Sequence, residues 1–283
     1  MLAKGSDVEQ TPPVTSTAGR VPQQRDASTT ERAPEQPVAS TAGRAPQQSY
    51  QWLRPLIPKR LQPMLRGVRK RYRRLYIQMD EPYRSVFPYS QVNIARQRNL
   101  VSLATSVIEE NVPGAIVECG VLDGGTAALM AWASRDARPA RPIHLFDAWE
   151  GLPETTVEDG DEAVKWTGQV VGSPTRVLAV MKRLGIAPER IHVHRGWFED
   201  TFPHIDIDTV ALVHIDCDFY APTRLCLETW YPRLSPGGAI QFDDYAAFSG
   251  CQQAVDEFLE AHPEVTLKTS DTAVQAFFIR KPL

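Results

Sequence analysis

The strongest constraint on this chain is an alternation. From Ala115 to Phe242, short apolar runs take turns with segments of helical spacing. Residues 115–119, 143–146, 190–194, 209–215 and 238–242 read as strands. Residues 124–132, 174–184, 223–234 and 251–261 read as helices, the last with Val255, Phe258 and Leu259 on one face. Strands separated by helices run parallel, and the crossovers cover both faces of the sheet. A helix over 92–110, with Ile94, Leu100, Leu103 and Val107 on one face, precedes the first strand, and Pro113-Gly114 breaks it. Two more strands, at 265–268 and 273–279, close the chain as a hairpin-like pair. The expected fold class is α/β: a doubly wound, mostly parallel, seven-stranded, Rossmann-like sheet.

The N-terminal part is different material. Residues 1–80 hold 14 Lys+Arg and 6 Asp+Glu, a balance of +8. The remainder holds 31−14=17 basic and 34−6=28 acidic residues, a balance of −11. Residues 1–50 are rich in Pro, Ser, Thr and Gln, and the segment from Pro13 to Gln24 returns at Pro37 to Gln48. Two polar copies cannot stack into a core, so this tail is expected to be disordered. Residues 51–91 read as a basic connector, helical only after Pro63, and 92–283 as the folded domain. The Lys/Arg-rich stretch 52–79 suits either a solvated helix packed along one edge or a weak contact with an anionic surface. Nothing points to nucleic acid, and a homo-oligomer is compatible with the sequence. No run approaches the ~18 apolar residues of a membrane helix. The polar start does not resemble a secretory signal, and Cys119, Cys217, Cys226 and Cys251 form no CxxC pair, so a reducing, cytoplasmic setting is expected.

Ligands of such sheets bind beyond the carboxyl ends of the strands, where strand order reverses. The first strand ends in Glu118-Cys-Gly-Val-Leu-Asp-Gly-Gly-Thr126. Gly120 permits a tight exit, Gly124-Gly125 open the next helix, and Thr126 can cap it. That helix start suits an anionic group such as an amino-acid carboxylate, and Glu118 can accept from an ammonium or water. The second strand ends in Asp147, suited to ribose hydroxyls. This is not the GxGxxG of a pyrophosphate binder.

The fourth strand runs into His214-Ile-Asp216-Cys-Asp218, and the fifth into Asp243-Asp244. Four carboxylates crowded at one sheet edge are unfavourable unless a cation compensates. An all-oxygen set favours Mg²⁺, Mn²⁺ or Ca²⁺ over Zn²⁺. Asp216, Asp243 and Asp244 are the candidate ligands, and Asp218 the candidate base for an alcohol activated by the metal. Capping of the following helices is the competing role for these acids, above all for Asp218. His144, His192, His194 and His214 sit in strand patterns and read as structural, while His204 and His262 read as surface loop residues.

Several stretches resemble the macrocin O-methyltransferase (TylF/MycF) family of class I S-adenosylmethionine-dependent methyltransferases. They are 117–121 with Gly124-Gly125, 146–153 (Phe-Asp-Ala-Trp-Glu-Gly-Leu-Pro) and 196–203 (Gly-Trp-Phe-Glu-Asp-Thr-Phe-Pro). They continue with 214–220, 231–238 and Asp243-Asp-Tyr245, so the resemblance covers about residues 92–283. It implies S-adenosylmethionine as donor, Mg²⁺ (or Mn²⁺) as metal and, as acceptor, a sugar hydroxyl of a small glycosylated molecule. By position it assigns metal binding to Asp216, Asp243 and Asp244 and the base role to Asp218. It assigns donor binding to Glu118, Gly120 and Asp147, with Gly196 and Trp197 flanking adenine. Cys217 stands where the family commonly has Gly, and Pro222-Thr223 where it has Ser-Thr. The tail and connector have no counterpart in that resemblance. Segments 80–92 and 154–175 are expected to cover the acceptor, the second as a mobile acidic lid carrying Glu154, Glu158, Asp159, Asp161 and Glu162. Methylation of an aromatic diol, and a non-catalytic donor-binding module, are the alternative functions.

Overall fold

The computed structural model describes residues 79–283, so the expectations for the repeated tail and for nearly all of the stretch 52–79 lie outside the described residues. The described part is a seven-stranded sheet in the order β3-β2-β1-β4-β5-β7-β6. Its strands are β1 (Ala115–Cys119), β2 (Ile143–Asp147), β3 (Ile191–Arg195), β4 (Val210–Ile215), β5 (Leu234–Phe242), β6 (Lys268–Thr269) and β7 (Phe277–Arg280). The first five are mutually parallel, and β7 runs antiparallel to both β5 and β6. Strand order therefore reverses between β1 and β4.

The helices are α1 (Tyr83–Val86), α2 (Ile94–Glu109), α3 (Gly125–Ala133), α4 (Pro174–Arg183), α5 (Phe198–Thr201), α6 (Tyr220–Trp230) and α7 (Ser249–Ala261). Two apolar cores lie against the sheet. One joins Leu100, Leu103 and Val107 of α2 to Ile116, Leu129, Leu145 and Leu212. The other joins Phe146, Phe202 and Trp230 to Val117, Val213, Ile240 and Phe242. In β1, Ile116 feeds one core and Val117 the other, and in β2 Leu145 and Phe146 divide in the same way, as a sheet buried on both faces requires. Among the described residues no helix is long and apolar enough to cross a membrane.

Four elements differ from the sequence reading. The helix expected at 223–234 starts at Tyr220, because Pro222 sits in its first turn, where a missing N–H is harmless. β5 starts at Leu234 rather than Gly238: Leu234 pairs with Val210 and Ala239 with Leu212, so residues 235–238 form an irregularity inside the strand. The terminal strands are shorter than expected. The segment before 92 is not merely a cover. Val86 is fully buried in the first core, with Tyr83 and Tyr89 packed against it.

Val86→Ala should therefore lower unfolding stability by about 2 kcal/mol, whereas Val157→Ala, at a side chain 91% exposed, should change it by less than ~0.5 kcal/mol. Urea melts of both variants check this; equal effects would detach segment 79–91 from the folded body.

Candidate functional site

Hydrogen-bond register alone brings the candidate residues together. Cys119, Ile215 and Phe242 are lateral neighbours at the ends of β1, β4 and β5. The ladder continues one step further, with Asp216 N donating to Cys119 O (2.9 Å) and Asp243 N to Ile215 O (3.0 Å). Gly120, Asp216 and Asp243 thus stand side by side at the switch point. Gly120 has φ +83°, and a Cβ there would lie 1.8 Å from Asp216 O, so a side chain is excluded by the neighbouring strand.

A carboxylate oxygen from each of Asp216, Asp243 and Asp244 lies within 4.8 Å of the other two. Octahedral Mg²⁺ with bonds of about 2.0–2.1 Å holds adjacent oxygens about 3 Å apart, so a closure of at most about 2 Å would seat it. Asp243 Oδ1 is buried and has no hydrogen-bond partner, which marks a point where a positive group is wanted. The residues present fit a hard divalent cation.

Burial pushes the Asp216 carboxyl well up, and Asp243, Asp244 and Asp218 push it further. Asp244 is raised by burial and then by Asp218 and Asp243. Burial raises Asp243 too, against the pull of His214 and Arg96. Burial and Asp243 push Asp218 up to about 7. Asp218 is outside the three-oxygen group. It has φ +63° in a tight turn closed by Phe219 N donating to Cys217 O (2.7 Å). This strained backbone re-aims it, and its N–H donates to Asp244 Oδ2 (3.1 Å). The first residue outside α6 is Phe219, and no side chain caps that helix, so capping is not the role of Asp218.

These acids form one wall of a cavity of about 330 Å³, also lined by Gly120, Thr126, Asp147, Gly196, Trp197 and Arg96. The opposite wall is interlocked backbone. Asp147 accepts from Val121 N (2.8 Å) and Leu122 N (2.9 Å), which clips the glycine turn to β2, and from Trp149 N (2.6 Å) in its own loop, so these three acceptor positions do not face a ligand. Trp149 Nε1 donates to Leu122 O (2.8 Å), and both residues have positive φ. Gly196 N donates to Asp147 O (3.0 Å), which holds the Gly196-Trp197 turn beside it.

Three sequence expectations need correction. Glu118 does not line the cavity: it points to the α2 side of the sheet, fully buried, and its Oε1 meets His214 Nδ1 at 2.8 Å. Burial raises its carboxyl, with His214 and the nearby Thr126 pulling the other way. Thr126 does not cap α3, because Gly124 takes the N-cap in a left-handed conformation with no side-chain cap. Asp159 is not an exposed lid acid. It is buried and accepts from Tyr220 N (2.7 Å) and Thr156 N (2.8 Å), while its carbonyl accepts from Ser249 Oγ (3.2 Å). It anchors the 154–170 segment to the starts of α6 and α7.

Sequence reasoning missed Arg96. It donates to the Asp243 carbonyl and meets Asp243 Oδ2 at 2.8 Å. It also missed that Glu118, His214 and Gln241 form one lateral row across β1, β4 and β5, under α2. His214 Nε2 is buried without a partner, 4.0 Å from Asp243 Oδ1. The strand register was the only available signal for that row.

The model of the macrocin O-methyltransferase (TylF) family matches residues 59–281. The match begins at 59 rather than 92, so it takes in most of the basic connector. Two similar proteins are the 8-demethyl-8-(2,3-dimethoxy-alpha-L-rhamnosyl)-tetracenomycin-C 4'-O-methyltransferase of Streptomyces olivaceus and the demethyldecarbamoylnovobiocin O-methyltransferase of Streptomyces niveus. They are 32% and 34% identical over 176 and 178 residues, in each case 60% of this chain and 67% of the relative. The solved O-methyltransferase NovP superposes with a TM-score of 0.62 at 28% identity, covering 69% of this chain and 83% of its own. CalS11, a calicheamicin methyltransferase, shares the fold at 21% identity, with a TM-score of 0.56 and coverages of 75% and 90%. A match across this length, on a sheet whose switch point carries the expected strand-end residues, means that the chain belongs to the macrocin O-methyltransferase family of S-adenosylmethionine-dependent O-methyltransferases.

Proposed function

We propose that this enzyme methylates a sugar hydroxyl of a small glycosylated molecule with the assistance of Mg²⁺, for which Mn²⁺ can substitute. The observation that carries the reading is the trio of carboxylate oxygens within 4.8 Å on one cavity wall. A bound dication there would supply Lewis acidity, lowering the pKa of a coordinated hydroxyl. Asp216, Asp243 and Asp244 are its proposed ligands, with Arg96 fixing Asp243. Asp218, which lines the same cavity, takes the hydroxyl proton as the oxygen–methyl bond forms and the sulfur–methyl bond breaks. Gly120, Thr126, Asp147, Gly196 and Trp197 are proposed to hold the donor, Asp147 by shaping the turn. Glu118 acts from behind the wall, through His214. A glycoside acceptor is favoured by the relatives, one of which is named for a rhamnosyl-tetracenomycin and another for mycinamicin III. Trp166, Val170 and Phe248 at the cavity offer apolar surface to the non-sugar part.

Asp216→Asn and Asp243→Asn should each weaken Mg²⁺ binding by ~10-fold or more and abolish transfer, with donor affinity in calorimetry nearly unchanged. Asp218→Asn should lower kcat by ~10²–10⁴ while both affinities persist. Undiminished turnover of glycosides in chelator would overturn the metal assignment, and turnover of catechols in their place would overturn the acceptor.

Proton linkage yields a second expectation. All four Asp carboxyls are raised in the folded chain, so the metal-free fold binds more protons than the unfolded chain does above the ordinary carboxylate range, in the case of Asp218 up to about 7. Its stability contribution from these groups therefore falls as pH rises through that window. A dication replaces the protons. The Tm gain from Mg²⁺ over chelator should thus be larger near pH 8 than near pH 5.5. Thermal melts at both values check this; an equal or smaller gain at the higher pH would contradict it.

A further inference from the structure

A second cluster of ligating side chains lies away from the cavity, on the β2–β3 edge of the sheet. His192 and His194 alternate along β3, the edge strand, and so share one face. His144 of β2 is the lateral neighbour of His192, and Phe146 that of His194. All three imidazoles therefore meet on one side. His144 Nδ1 and His194 Nε2 are 3.0 Å apart. The His192 ring stacks on His144 with centroids 4.6 Å apart, and His194 stacks on Phe146 at 4.2 Å. His192 is exposed and the other two are half-buried.

The surroundings of His144 and His194 favour their neutral forms. Burial and the two neighbouring imidazoles hold His144 down at about 4, and burial and His192 lower His194. No carboxylate figures among the charges acting on either ring. Neutral imidazole nitrogens are the ligands preferred by borderline transition metals over Mg²⁺ or Ca²⁺. Two nitrogens on tetrahedral Zn²⁺, with bonds of ~2.0–2.1 Å, stand about 3.3 Å apart. The His144–His194 separation is already within a few tenths of an ångström of that.

We propose that His144, His192 and His194 form a binding site for a borderline transition-metal cation such as Zn²⁺, separate from the carboxylate site. His144 and His194 provide the first two ligands. The proton now shared between them moves to the outer nitrogen of the donating ring, so no net proton is released. The exposed side chain of His192 swings off its stack to become the third ligand, and water completes the shell. The site would clamp together the two strands whose carboxyl ends lead into Asp147 and Gly196-Trp197, and so stiffen one side of the cavity.

The test is Zn²⁺ titration of the full chain against a chromogenic chelator, in excess Mg²⁺, with Zn²⁺ per chain as the readout. One tightly bound Zn²⁺ is expected, retained in Asp216→Asn and weakened at least ~10-fold in His194→Ala and in His192→Ala. His192→Ala removes an exposed side chain and leaves the fold intact. Co²⁺ loaded in place of Zn²⁺ should show the visible absorption of a low-coordinate site, lost in the same variants. Equal Zn²⁺ affinity in wild type and both His variants, loss of Zn²⁺ in Asp216→Asn alone, or no competition with the chelator would each overturn the proposal.

Discussion

Parallel strand register, not any single side chain, is what the site depends on. Because β1, β4 and β5 are lateral neighbours, any acids placed just past their ends are forced within a few ångströms of each other. Among the described residues, the guanidinium in ion-pair contact with these four carboxylates is that of Arg96, against Asp243. In a partly water-excluded cavity, that repulsion is relieved either by protons or by a cation of higher charge. The sheet thus builds electrostatic demand into its own switch point, which a chemically idle fold has no reason to accumulate.

The same register extends one residue into the sheet. Glu118, His214 and Gln241 cross the central strands beneath α2, and Asn99 Nδ2 donates to Gln241 Oε1 at 2.8 Å. A buried polar row is tolerated only where its members are hydrogen-bonded. Glu118 Oε2, His214 Nε2 and Asp243 Oδ1 remain without a hydrogen-bond partner, and the last two face each other at 4.0 Å. The row therefore links α2 to the acid cluster, and Arg96 on the same helix reaches the cluster from the side. α2 is a support of the site as much as a cover for the core.

How much could be read beforehand follows from the range of the forces involved. β1 was legible to the residue, since an apolar run between a Pro-Gly break and a glycine turn has local causes. The acids at 216, 218, 243 and 244 were legible as a cluster because chain order within a doubly wound sheet dictates which strand ends adjoin. Glu118 was misread because its position at a strand end says nothing about which face it turns to; parity with the apolar Ile116 places it under α2. Thr126 was misread because Gly124 already occupies the cap. Arg96 was invisible, since its partner Asp243 lies 147 residues away. Asp147 shows the limit most clearly: its position was anticipated, but three backbone donors from two separate loops take up most of its acceptor capacity.

Asp159 fixes the 154–170 segment to the first turns of α6 and α7. The donor wall is interlocked through backbone atoms at Leu122, Trp149 and Gly196, so most substitutions there disturb the turn itself. The 154–170 segment is held at a buried carboxylate set against the first turn of α6, where the exposed N–H groups favour an acid, and at Leu152, whose N–H donates to Gln169 O (2.9 Å) and whose carbonyl accepts from Gly168 N (2.8 Å). α7 is tied to it as well: a Cβ at Gly250 would lie 1.8 Å from Asp159 Oδ1. With that anchor kept, the exposed side chains at Val157, Val164 and Val171 can change without moving Asp216, Asp243 or Asp244. The carboxylate cluster stays where β4 and β5 put it.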